Sequence, residues 1–307
     1  MKLSIFDRLI GKIDKIVFIC TLVVLFASFY SVYSLKGLYS QKETLQSLDN
    51  ALFLTRNLLE AEQQHALSLS LLLAQDKSFL EAFFKNDRKK AFDIIHQKIA
   101  SLQKLQGYDF EVQVHDKNLH TYLRSWDYSV KDIPLAAFRK GLVLVKKNQK
   151  PLVSIEVGKR LNIKAISPIM KNGLFEGSIE VIESFRHLRK TLAEHGYALF
   201  IFLDKKYLPI ATTLQQHPLV FNRFVLVNDS YDKHSLESLQ SSHLKNLQDY
   251  GYFTQNGYAF AYFSIKNFVN QNLGYCVVLF QNATPLMLKT NDEVTPQKVN
   301  SSGVIIQ

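Results

Sequence analysis

Between Ile16 and Tyr33 the chain reads IVFICTLVVLFASFYSVY, a run without a single charge. As a helix it spans about 27 Å, against a hydrocarbon core of about 30 Å, so it reaches across a bilayer with a little snorkelling at its ends. A helix of this kind belongs in lipid, and the chain beyond it must fold on one side of the membrane. Lys2, Arg8, Lys12 and Lys15 precede the run, offset in part by Asp7 and Asp14. The positive-inside rule then keeps the N-terminus in the cytoplasm and exports the rest. A cleaved signal is disfavoured, because no A-x-A site is present and the run exceeds a usual signal core. Ile19, before Cys20, also stands where a lipoprotein signal has a small residue. No second stretch of that length occurs, so a single uncleaved anchor is expected.

The chain as a whole is too apolar for general disorder, with 47% hydrophobic residues in 307. The net charge of +10 comes from 37 Lys and Arg against 27 Asp and Glu. These basic residues are scattered rather than grouped, which argues against nucleic acid as a partner. Cys20 and Cys276 are far apart, and a disulfide between them would need Cys20 to leave the membrane.

Periodicity divides the chain beyond the anchor. Leu45, Leu48, Leu52, Leu59, Ala66, Leu69 and Leu73 recur at 3–4 spacing, interrupted by Thr55 and Glu62. That pattern predicts a long amphipathic helix, laid on its own domain or paired with a second copy near the membrane. Ser78 and Glu81 read as a capping box for a helix at FLEAFF, and a further helix runs from about Arg88 to Leu105 and is closed by Gly107. The period then changes to 2, and FEVQV and LHTYLRSW read as a hairpin. A helix around Leu135 to Lys147 precedes three strands, LVSIEV, IKAISPI and FEGSIEVIE. After a helix from Phe185 to Glu194 the plan repeats. ALFIFLD and FNRFVLVND come first, then a helix from Ser235 to Gln248, then GYFTQ, YAFAYFSI and YCVVLFQ. The fold class is α+β, with two tandem antiparallel-sheet modules behind one long helix. The expected divisions are 1–34 (N-terminus and anchor), 35–106 (helical), 107–195 and 196–282 (the membrane-distal and membrane-proximal modules) and 283–307 (a polar tail).

From Asp116 to Glu183 the residues resemble the first module of a double Cache sensor, in the variant carried by bacterial sensor kinases, chemoreceptors and diguanylate cyclases. Tyr122-Leu123-Arg124 matches the F-L-R strand, Asp132 the acidic position, Phe138-Arg139 the F-R pair, and Lys150-Pro151 the turn. Glu156 and Gly158 match E-x-G, Pro168-Ile169 matches P-[IV], and Gly177-Ser178-Ile179-Glu180 closes the pattern. Lys164 stands where the family has an internal Arg, so two-pronged recognition of a ligand group is in question there. The resemblance implies PAS-like sheets, a small-molecule ligand and a role in signal transduction. It places the anchor in the inner membrane and the bulk of the chain in the periplasm.

Strand alternation puts Tyr122, Arg124 and Trp126 on one face. The resemblance makes that face a pocket, with Arg124 on a central strand and Arg139 on the covering helix. Arginine suits a carboxylate or phosphate, and Trp126 suits a planar or alkyl group. Equally, Arg124 could pair with Asp127 or Asp132 while Trp126 merely packs. Glu156 and Glu180 either balance Arg124, Arg139 and Lys164 in a structural network or bind an amine. No nucleophile or phosphate loop joins these carboxylates, so an enzyme is not expected. His115 and His120 with nothing else do not make a metal site, and no cofactor is implied. The expected ligand is anionic or amphoteric, and the expected partners are a second copy through the N-terminal helices and a separate output protein. A truncated receptor remnant, or an exported structural protein on the same fold, are the other readings.

Overall fold

The computed structural model describes residues 3–107, 109–241 and 247–281. The polar tail and residues 242–246 of the helix expected to reach Gln248 lie outside these, and Leu247 and Gln248 are not helical. Helix α1, Leu3–Ala74, is unbroken and at about 1.5 Å per residue runs about 108 Å. Among the described residues it is the one helix long and apolar enough to cross a membrane. Around its membrane-length part Val17, Phe26 and Tyr30 are all exposed.

From Leu48 onward α1 is a core element. Leu48, Leu52, Leu59, Ala66, Leu69 and Leu73 are buried against the chain's own modules. The intermolecular reading of the Leu45–Leu59 stripe is therefore corrected: two sheets of the same chain occupy it, and the exposed apolar side chains of α1 are others, such as Leu38 and Phe53. Thr55, which interrupts the stripe, donates its hydroxyl to the Ala51 carbonyl at 2.6 Å. Its polar group is satisfied within the helix.

Helix α2, Lys77–Phe84, is capped by Asp76, whose carboxylate accepts from the Phe79 amide at 2.9 Å. Ser78 therefore lies inside the helix, and the expected box is replaced by an acidic cap two residues earlier. Helix α3, Arg88–Gln106, ends at Gly107, which takes the left-handed φ of +69° that glycine adopts without strain.

The first sheet contains β1 (Phe110–Asp116), β2 (Thr121–Arg124), β3 (Leu152–Val157), β4 (Leu161–Lys171) and β5 (Leu174–Glu183), in the order β2-β1-β5-β4-β3. Helix α4, Lys140–Asn148, lies between β2 and β3 in sequence. Helix α5, Arg186–Glu194, leads to the second sheet. That sheet holds β6 (Ala198–Asp204), β7 (Leu219–Val220), β8 (Phe224–Leu226), β9 (Tyr250–Gln255), β10 (Tyr258–Lys266) and β11 (Asn272–Gln281). Helix α6, Lys233–Gln240, lies between β8 and β9 in sequence. The order β7-β8-β6-β11-β10-β9 repeats the first sheet's order, with β7 added at one edge. The topology confirms an internal repeat. Asn172-Gly173 closes the β4–β5 hairpin and Asn256-Gly257 the β9–β10 hairpin, each with positive φ at both turn residues, as their sequence predicts.

Each face of the first sheet has its own character. Val112, Val114, Leu123, Ile163, Ala165, Ile169, Ile179 and Val181 belong to one apolar core with α1 and α2. Gly177 belongs to this face, where an added Cβ would fall 2.3 Å from the His115 carbonyl oxygen and 2.8 Å from the Phe83 ring. Gly177→Ala should therefore cost about 1–3 kcal/mol in chemical denaturation, since backbone and a buried ring must both yield. A neutral result would mean that β1 and β5 are less tightly paired than this geometry requires.

Candidate functional site

The opposite face of the first sheet is polar although it is covered. Cross-strand pairing puts Arg124, Gln113, Glu180 and Ile166 in one row, and Glu111, Ile182, Lys164 and Ser154 in the next. Directly opposite residues of an antiparallel pair share a face, so these rows define one surface. The segment after β2 and helix α4 close over it. Leu119, Leu135, Leu142 and Val145 pack on Ile166 as a small separate apolar cluster. Arg88 anchors the cover from outside, donating to the carbonyls of Tyr122 at 2.6 Å, Val130 at 3.0 Å and Tyr128.

Beneath the cover lie the charges expected from sequence. Arg139, at the N-cap of α4, is buried and its guanidinium forks onto Glu180, with Nη1 donating to Oε2 at 3.2 Å and Nη2 to Oε1. Its Nη2 also lies 3.7 Å from Glu156 Oε2. Glu156 accepts from the Ser154 hydroxyl at 2.9 Å. Two glycines make room for these groups: a Cβ at Gly141 would fall 2.2 Å from Glu156 Oε1, and one at Gly158 would fall 2.8 Å from Lys164 Nζ. The E-x-G motif therefore has a steric meaning here.

Lys164 is fully enclosed and forms no ion pair within 4.0 Å among the described residues. Burial, with repulsion from Arg139, pushes its pKa down to about 8, against the pull of Glu180 and Glu156. Burial alone would raise Glu180, but Arg139 and Lys164 outweigh it and hold the carboxylate low. Burial likewise opposes the Arg139 charge, and Glu180 and Glu156 overcome it, so the guanidinium stays charged. Arg139, Lys164 and Arg124 thus face two carboxylates. With Glu111 of the same surface paired to Arg160 at 2.7 Å, four cations meet three carboxylates, a surplus of one positive charge.

Three sequence expectations are corrected by geometry. Strand β2 is an edge strand, so Arg124 does not sit on a central one. A β-bulge shifts the β1–β2 register between Val114 and His115, leaving Tyr122 as the extra residue. The Tyr122 ring turns onto the core face and meets Phe83 edge-on at 5.0 Å, away from Arg124. Trp126 lies beyond the end of β2 and is 44% exposed, yet it stays beside Arg124, whose guanidinium is 5.6 Å from its ring centre. Asp132 is a turn residue with φ +59°, its amide bonded to the Thr121 carbonyl, and it does not pair with Arg124.

One further member was not among the expected site residues. His115 is fully buried between Ser178, 3.0 Å from its Nδ1, and Glu180, 3.6 Å from its Nε2. Burial, with repulsion from Arg139, Arg124 and Lys164, pushes it down to about 3 despite Glu180, so it is neutral. The alternation in Glu111-Val112-Gln113-Val114-His115 was its signal. Polar residues every second position on a buried strand mark a polar interior face. Among the described residues no group of His, Cys, Asp and Glu is placed to hold a metal ion.

A family model described as the double sensory domain of two-component sensor kinase matches residues 41–283. The chain belongs to this double Cache family. The match spans both sheets and the part of α1 that packs on them. Solved structures similar to the chain include a domain of a sensory box/GGDEF family protein from Vibrio parahaemolyticus. It is 14% identical, with a TM-score of 0.49, and the alignment covers 79% of this chain and 98% of that one. The sensor domain of the V. cholerae histidine kinase DctB is 12% identical, with a TM-score of 0.48 and coverage of 78% and 98%. The ligand-binding domain of the Campylobacter jejuni chemoreceptor Tlp3, in complex with 4-methylisoleucine, is 14% identical, with a TM-score of 0.43 and coverage of 78% and 91%. No curated protein matches the chain. The family is a sensory module rather than a catalytic one.

A second buried polar group lies where α1 crosses the junction of the modules. His187 of α5 bonds Glu62 of α1 at 2.5 Å, and His65 of α1 bonds Glu183 of β5 at 2.9 Å. Burial, with the Glu183 charge, raises the Glu62 pKa above its ordinary value even though His187 and His65 oppose it. An acid raised by folding favours the fold in its neutral form, and that contribution fades as pH rises through its folded pKa. Glu62→Gln should therefore melt higher than the parent at pH 7, with the gap closing as the pH is lowered. A gap that widened on acidification would show that the ionised form is the one the junction favours.

Proposed function

We propose that this chain is a membrane-anchored sensor whose membrane-distal module binds a small anionic or amphoteric molecule on the covered polar face of the first sheet. Lys164 carries the reading: a buried cation without an ion pair costs stability unless a ligand supplies the missing anion. Arg124, half-exposed at the rim with Trp126 over it, gives that anion a second donor and an apolar wall. An amphoteric ligand would set its amine against Glu156, the more weakly held partner of Arg139. The ligand's main charge partners are then Lys164 and Arg124, with the Arg139–Glu180 pair as the frame.

The same sheet carries α1 on its other face, so the site and the membrane helix share β4 and β5. Ligand that favours one arrangement of α4 and the sheet shifts that population, and α1 carries the displacement to the membrane. In this reading the first module faces away from the membrane, the bulk of the chain is exported, and exposed side chains of α1 near the membrane meet a second copy. A separate output protein would read the anchor.

A thermal-shift screen of the full chain in detergent, against organic acids, amino acids and purines, tests the proposal. Carboxylate-bearing compounds should raise the melting temperature and uncharged purine bases should not. Arg124→Ala should weaken a hit by about 10–100-fold, the range for a charged hydrogen bond. If no carboxylate raises the melting temperature, the proposal is wrong.

A further inference from the structure

A cleft of small-molecule size among the described residues lies away from α4. It lies where the first sheet meets the second module, holds about 350 Å³, and is walled by Glu111, Arg160, Arg186, Thr213, His217 and Asp229. That volume falls within the range of about 300–1,000 Å³ usual for small-molecule sites.

Asn162 forms part of its lining and is only 6% exposed, and its side-chain amide makes no hydrogen bond among the described residues. The amide is not among the fully buried unpartnered groups, so it keeps contact with solvent, and the cleft that it lines is the open side. His217 adds a defined acceptor. Its Nδ1 lies 2.9 Å from the Leu226 carbonyl, which can only accept, so Nδ1 carries the proton of the neutral ring and Nε2 is left with its lone pair.

The walls are charged but balanced. Arg160, Arg186 and Arg189 are matched by Asp109, Glu111 and Asp229. Their pairs, Arg160–Glu111 at 2.7 Å and Arg186–Asp109 at 2.9 Å, are largely exposed, with Arg186–Asp229 looser at 3.9 Å. Exposed pairs of this kind contribute little and exchange partners readily. Such walls suit a ligand that is neutral overall and charged at both ends.

We propose that the inter-module cleft is a second ligand site, taking a small zwitterion of the amino-acid type on Asn162, His217 and the exposed arginine–carboxylate pairs. Its carboxylate takes donors from Asn162 and an arginine, and its ammonium meets a wall carboxylate or His217 Nε2. A bound zwitterion touches both modules, so occupancy favours one angle between them and couples to the first site through the strands they share. The proposal does not depend on the function assigned to Lys164.

The test is isothermal titration of the full chain in detergent with each of the twenty protein amino acids at pH 7.5, repeated on Asn162→Leu, Arg186→Gln and Lys164→Met. At least one amino acid should bind, weaken tenfold or more in Asn162→Leu and about threefold in Arg186→Gln, and keep its affinity in Lys164→Met. Asn162→Leu should melt close to the parent, because it removes an amide that makes no hydrogen bond among the described residues and keeps a side chain of similar size. Arg186 is exposed, so its variant folds whatever happens at position 162. If no amino acid binds, or if affinity is lost in Lys164→Met and kept in Asn162→Leu, the cleft is not the site.

Discussion

Glu180→Ala is expected to destabilise the chain by about 3–5 kcal/mol, one of the two largest effects of any single change considered for this site. The carboxylate is fully buried and receives both prongs of the Arg139 fork. Removing it leaves a guanidinium in a low-dielectric interior with only Glu156, at 3.7 Å, as a charge partner. Lys164 then repels Arg139 with less opposition. The double variant Arg139→Met with Glu180→Leu should recover most of the loss, because both charges leave together and Lys164 is then balanced by Glu156. Chemical denaturation of the three proteins checks this. Losses that simply add in the double variant would show that the two groups are not a coupled unit.

Lys164→Met is expected to act in the opposite direction on stability. The folded chain holds Lys164 near a pKa of about 8, against 10.5 for the unperturbed side chain, so the unfolded chain binds the proton more tightly. A buried amine with a depressed pKa penalises the fold at neutral pH. The penalty eases as pH rises from about 8 towards 10.5, where the folded amine is neutral and the unfolded one is still charged. The methionine variant should be about 2–3 kcal/mol more stable at pH 7 and should lose the parent's gain in stability between pH 8 and about 9.5. A residue that lowers stability, and sits where Gly158 leaves room for it, is explained by binding rather than by folding.

Much of this architecture is legible in the sequence. The charge-free run, the change of period at Gly107 and the two Asn-Gly hairpins depend on local chemistry, and local chemistry can be read from a sequence. The site is legible in part. Arg139, Glu156, Lys164 and Glu180 do converge, because alternation assigns each strand residue to a face whichever strand it pairs with. Tyr122 departs from expectation because a bulge adds one residue to β2, and one residue reverses a side chain. Arg124 departs for a different reason: strand order is a long-range property, and the local pattern of an edge strand resembles that of a central one. The leucine stripe of α1 shows that a face is buried, but not what covers it. His115 is signalled only by the alternation along β1, and a histidine beside a turn looks exposed until the pairing of β1 with β5 encloses it.

The central claim is that Lys164 remains charged in order to meet a ligand's anion. Calorimetric titration, at pH 7 and pH 9.5, with the carboxylate that raises the melting temperature most, tests it directly in the parent and in Lys164→Met. The account predicts tenfold or greater weakening in the parent at the higher pH, as the lysine loses its proton. It also predicts weak binding in Lys164→Met that does not change with pH. Equal affinity in the two proteins at pH 7, or a parent affinity indifferent to pH across this range, would contradict it.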